Sequence, residues 1–236
     1  MIQRLILRIL SLAAKFALTI VLARTLGFSA VAAYGLAVAV SVVASKVLGL
    51  GFSAELNRRL SGMRPGMAIG AARRLRGIYG ASYLLVVAGV FVAWSNGWLH
   101  VAQVASPALL FEVVLVAIAE HYALEANSYV FSLHRAQAAS MMLFVRTGAW
   151  AAFAIAGLLV GTIVDIHAVF LLWVGANLGV IVWAWVVIES VARRAPAIAP
   201  TNPACAVSGP MAWLSILPQF FYPGCSMPSA SLPCLI

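Results

Sequence analysis

Charge is scarce in this chain. Only 9% of its residues are Asp, Glu, Lys or Arg, against about 25% in a soluble domain. The acids number six, and the lysines are Lys15 and Lys46 alone. The three cysteines, Cys205, Cys225 and Cys234, all lie beyond the last long apolar run, with no metal or redox spacing. That argues against a disulfide framework or a zinc site. No Walker A loop, no dinucleotide fingerprint and no Gly-x-Ser-x-Gly elbow is present. The segment EHYALE, Glu120 to Glu125, sets carboxylates around His121 without the His-Glu-x-x-His spacing that holds zinc. No enzymatic chemistry, cofactor or metal is therefore expected.

What fills the chain instead is apolar. Hydrophobic residues make up 64% and the mean hydropathy is +1.04. No soluble globule can cover that much apolar surface, so lipid must be its solvent. The formal charge of +9 does not imply nucleic acid, because the arginines come in short clusters between apolar runs, as orientation signals do. The N-terminus starts with Arg4 and Arg8, but Lys15 interrupts the apolar stretch that follows, so a cleaved signal peptide is not expected.

A spanning helix needs about 20 apolar residues. Six runs qualify, over roughly 6–26, 31–53, 78–95, 104–126, 139–161 and 168–189. The reading is an all-α membrane protein with six transmembrane helices. The connection 54–77 carries Arg58, Arg59, Arg64, Arg73, Arg74 and Arg76; 127–138 carries Arg135; Arg193 and Arg194 follow the last run. The intervening loops have no Lys or Arg. Basic and non-basic connections alternate, which places both ends of the helical region in the cytoplasm. The 54–77 segment reads as a solvated basic connector, with an interfacial amphipathic helix as the alternative. Trp94, Trp98 and Tyr129 fit interface positions.

Residues 1–194 thus form one six-helix lobe. From Ala195 to Ile236 there is no charged residue, and eight of the ten prolines fall there. This tail reads as a linker followed by an aborted or interfacial seventh helix over 211–222, an ending that a frameshift or truncation would produce.

Ionisable residues inside spans are costly and are functional candidates by default. Five stand out: Lys15, Lys46, Glu112, Glu120 and Arg146. Lys15 sits near mid-membrane, and Lys46, Glu120 and Arg146 lie in the half nearer the cytoplasm. If their helices share a bundle, these charges converge on a cytoplasm-facing cavity with a cationic excess suited to phosphate or diphosphate. Equally, Arg146 and Glu120 could pair simply to join two helices, and Lys46 could snorkel. Glu112 and Glu120 are candidate coupling or pairing acids. Arg24 ends the first span within reach of outer headgroups. Glu125, Asp165, His100 and His167, at span ends and in outer loops, read as solvated.

The stretch KFALTIVLARTLGFSAVAAYGLAVAVSVVASKVLGLGFSAELNRRLSG contains an Ala-Arg-x-Leu-Gly turn (Ala23, Arg24, Leu26, Gly27). An aromatic-Gly pair (Tyr34, Gly35), Leu48 to Gly51, and then Arg58 and Arg59 follow. It resembles the opening helix pair of the polysaccharide and lipid-linked oligosaccharide flippases of the multidrug/oligosaccharidyl-lipid/polysaccharide transporter superfamily. The resemblance implies one six-helix lobe of a carrier of twelve or more helices, moving polyprenyl-diphosphate-linked glycan across a bacterial cytoplasmic membrane by alternating access. It further implies a homodimer or a missing second lobe as partner, besides membrane lipid, and a basic cavity to which Lys15, Arg24 and Lys46 contribute. A non-transporting scaffold of a polysaccharide export system is the alternative. A polyprenyl transferase is a third reading, disfavoured because Glu55 is the only acid in the two basic connections.

Overall fold

The computed structural model describes residues 2–48, 61, 65–97 and 106–194. The tail from 195 onward, its three cysteines, Gly49–Gly51, the connector ahead of Pro65 except Ser61, Trp98 and His100 lie outside the described residues. Among the described residues there is no strand, and six helices are long and apolar enough to cross a membrane. The chain is an all-α multi-pass membrane protein.

The helices are α1 (Ile2–Thr25), α2 (Phe28–Leu48), α3 (Pro65–Ser95), α4 (Pro107–Ser132), α5 (Ala136–Val160) and α6 (Ile166–Arg194). Gly27 ends α1 in the left-handed region, φ 85°, and its N–H donates to the Leu22 carbonyl at 3.1 Å. A side chain would be strained there, which is why the turn into α2 can be so short. Ser106 caps α4, accepting from the Leu109 N–H at 3.2 Å, with Pro107 in the first turn where its missing donor costs nothing.

Two boundaries depart from the sequence reading. α3 begins at Pro65, so Arg73, Arg74 and Arg76 stand on its first turns and not in a solvated connector. Arg73 is held there by a two-oxygen ion pair to Glu189 of α6, at 2.8 and 2.6 Å. Arg76 lies over the Trp185 ring, 4.9 Å from its centroid. α4 runs on to Ser132, which shrinks the second basic connection to a turn around His134, at φ 59°.

α4 is the hub, packed by α2 on one side and α6 on another, while α1 packs chiefly on α5. In lipid no hydrophobic force drives helix association, so close approach depends on small residues. Ala30, Ala33 and Ala37 of α2, Ala117, Ala123 and Ala126 of α4, and Ala151 and Ala154 of α5 are all buried. α3 is the outlier: only 6% of its most apolar 18 residues are buried, against 44% for α4, although Ala68, Ile69, Ala72, Leu75 and Tyr79 at its basic end are packed.

Candidate functional site

The bundle centre holds a polar cluster built from five helices. Glu120 of α4 is buried and uses both oxygens. Oε1 accepts from Arg146 Nη1 at 2.5 Å, and Oε2 accepts from Trp173 Nε1 at 2.9 Å and Asn177 Nδ2 at 3.2 Å. The expected meeting of Glu120 with Arg146 is thus realised as a buried ion pair. Trp173 and Asn177, one turn apart on α6, complete the carboxylate's shell.

Arg146 lies on a π-helical turn, Val145–Ala149, inside α5. Such turns insert a residue and rotate the side chains that follow. Here the Trp150 indole N–H donates to the Arg146 carbonyl at 3.0 Å, supplying a partner within the widened turn. α1 presses on the same place. A Cβ on Gly148 would lie 2.6 Å from Ser11 Oγ and 2.8 Å from Ser11 Cα, and the Thr147 and Ser11 hydroxyls are 3.0 Å apart. Gly148 is therefore what lets the α1 backbone reach the turn that carries Arg146.

Lys15 stands about one helical turn further along α1. It is half-buried, with Nζ 5.6 Å from the centroid of Trp173. That ring stacks on Trp150 at 4.8 Å and 8°, and Tyr34 of α2 packs against both. Lys15 is within electrostatic reach of Glu120 and Arg146, yet among the described residues it has no carboxylate at salt-bridge distance. Two cations thus share one acid. Arg146 Nε and Asn177 Oδ1 are also buried without a hydrogen-bond partner among the described residues.

The remaining candidates lie elsewhere. Arg24 and Lys46 are exposed. Along their helices they stand roughly 13 Å from Lys15 and 18 Å from Tyr34, at about 1.5 Å per residue, and so do not join the cluster. Glu112 pairs with His167 of α6, whose Nδ1 lies 2.7 and 2.9 Å from its oxygens. His167 is thus partnered, not simply solvated. Asp165 is exposed and accepts from the Ala168 N–H at 2.8 Å, a cap on α6. The cavity of about 340 Å³ bounded by Leu26, Ser29, Ser106, Asp165 and His167 lies at this non-basic end. None of the cavities described is lined by Lys15, Arg146 or Glu120.

Two readings need correction. Glu125 is 1% exposed, not solvated, because α4 continues past it while packing on both α3 and α6. Tyr129, expected in an interfacial belt, is 2% exposed for the same reason. With them, His121 accepts or donates at Nδ1 with the Tyr83 hydroxyl at 2.7 Å, and Tyr79 meets its ring edge-on at 5.3 Å. This second polar layer is not among the sequence-predicted site residues, although the EHYALE segment carries two of its members. The signal was the spacing of His121, Glu125 and Tyr129, four residues apart, which puts them on one face. Asn177 was missed as well, although an amide inside an apolar run is itself a mark of a polar contact.

Among the described residues no group of three or more His, Cys, Asp or Glu could hold a metal ion. Compared with known proteins, the chain matches no family model, no curated protein and no solved structure.

Proposed function

We propose that the chain is a transporter lobe for an anionic, lipid-linked substrate, in the class of flippases that move polyprenyl-diphosphate-linked glycans across a bacterial cytoplasmic membrane. One observation carries this reading: Lys15, at mid-membrane, is a cation in excess of the Glu120–Arg146 pair. A purely structural charge in lipid is expected to be neutralised by a partner, because an unpaired one costs about 2.5–3.5 kcal/mol at the helix centre on the insertion scale. Lys15 is held half-exposed over an indole face instead. A diphosphate supplies the missing negative charge. α1 and α2 support the reading in a second way. They leave a shared turn to pack on different partners, α5 and α4, so they diverge beneath Gly27. Lys15 and Tyr34 are the side chains that this divergence brings to the cluster.

The rival reading is a non-transporting scaffold of an export system. It is favoured by the direct pairing of Glu120 with Arg146, which accounts for two of the candidate charges as helix-joining contacts.

Translocation in proteoliposomes separates the two. With the purified chain reconstituted, a polyprenyl-diphosphate disaccharide placed in one leaflet should become accessible to a glycosyltransferase in the other, faster than in protein-free vesicles. Exchange no faster than in empty vesicles favours the scaffold.

A further inference from the structure

The basic end of the α3–α6 seam carries a second charge excess, unrelated to the mid-membrane cluster. Arg73 and Glu189 form the ion pair described above, with side chains 52% and 38% exposed. Arg76 and Arg193 also lie within electrostatic reach of that carboxylate. Three exposed arginines thus surround one acid. Two helices set their depth independently. Counted from Ser95 and Ile166 at about 1.5 Å per residue, Arg76 and Trp185 both lie roughly 28 Å along. That is close to the hydrocarbon thickness of about 30 Å. Arg73 and Glu189 fall a turn beyond, at headgroup level.

We propose that this cluster binds the phosphate headgroup of an anionic phospholipid of the inner leaflet. Arg76 is pre-oriented by its stacking on Trp185, whose indole N–H is itself held by the Tyr122 hydroxyl at 3.0 Å. A guanidinium so fixed presents its outer N–H groups to a phosphate with little ordering cost. The same helical rows continue as exposed small and apolar surface into the hydrocarbon: Gly80, with nothing within 4 Å of a Cβ, on α3, and Val182 and Val186 on α6. A site with a cationic head and an apolar track fits a lipid and not a free anion. Glu189 is its internal competitor, occupying Arg73 until the headgroup arrives.

The test is a native mass-spectrometry titration of the full chain in neutral detergent. It uses phosphatidylglycerol, phosphatidylcholine of the same chains, and glycerol phosphate as competitor. Phosphatidylglycerol should be retained in preference. The pair Arg76→Gln and Arg193→Gln should reduce its retention about 25-fold, at roughly fivefold per arginine. Arg135→Gln, on the α4–α5 turn, should leave it unchanged. Glu189→Gln should raise it, an outcome that misfolding cannot imitate. Equal retention of the two lipids overturns the proposal. So does a loss in Arg135→Gln as large as in the double variant, displacement of the lipid by glycerol phosphate, or no gain in Glu189→Gln.

Discussion

Removing Glu120 and removing Arg146 are not equivalent perturbations. Breaking a buried ion pair by deleting one partner costs about 3–5 kcal/mol, because the survivor is left uncompensated. Glu120→Leu leaves two cations, Lys15 and Arg146, together in the core and also strips Trp173 Nε1 and Asn177 Nδ2 of their acceptor. Each lost acceptor adds about 1 kcal/mol, so the total should reach roughly 5–7 kcal/mol. Arg146→Met leaves Glu120 with its indole and amide donors intact and with Lys15 in electrostatic reach, so its cost should stay at or below about 3 kcal/mol. Combining Glu120→Leu with Arg146→Met should recover part of the single Glu120 loss, since no unpaired charge then remains except Lys15. Unfolding in mixed micelles, titrated with dodecyl sulfate and followed by tryptophan fluorescence, gives the comparison. Equal costs for the two single variants, or a double variant no better than Glu120→Leu alone, would refute the shared-acid arrangement.

Gly148→Val should destabilise by about 1–3 kcal/mol, the usual range for overpacking. The new side chain meets Ser11 Cα at 2.8 Å, which cannot rotate away as a side chain can; the same unfolding titration reads it, and a neutral result would remove α1 from its place against the π turn. Ser11→Gly should partly rescue Gly148→Ala by clearing the Oγ contact while leaving the backbone contact. Reporter fusions after residues 62, 97, 134, 164 and 194 should read in, out, in, out, in; an outward report at 62 or 134 would undo the orientation. His167→Ala removes the partner of Glu112 at the non-basic end and should leave the stability gap between Glu120→Leu and Arg146→Met unchanged, because the two pairs are about 12 Å apart along α4.

The span count and the alternation of basic ends were legible because both are set by composition: runs long enough for the bilayer, and arginines that cannot cross it. Helix ends were less so. Pro65 could open a helix or interrupt a loop, and only the Arg73–Glu189 and Arg76–Trp185 contacts, made across 116 and 109 residues of chain, favour the helix. In the site, depth grouped Lys15, Lys46, Glu120 and Arg146, and the structure brings together Lys15, Glu120 and Arg146 but not Lys46. Arg24 and Lys46 stand too far along their helices to join the cluster, and depth says nothing about azimuth, which is where they and Glu125 also departed from expectation. Arg24 and Lys46 face outward, and Glu125 faces inward on an α4 that runs longer than its apolar run. The π turn has no sequence signature of its own. The aromatic pair Trp150–Trp173 became meaningful only once the fold stacked it beside Lys15.

Lys15 as a diphosphate-binding cation is the claim on which the functional reading stands. The direct measurement is the affinity of the chain in nanodiscs for a polyprenyl diphosphate against the matching polyprenyl alcohol, in the wild type, Lys15→Arg and Lys15→Ala. The wild type should prefer the diphosphate, Lys15→Arg should keep the preference within a few-fold, and Lys15→Ala should lose it by about tenfold or more, the size of one charge-assisted contact. A diphosphate preference unchanged in Lys15→Ala, in protein that elutes and unfolds as the wild type does, would contradict the claim.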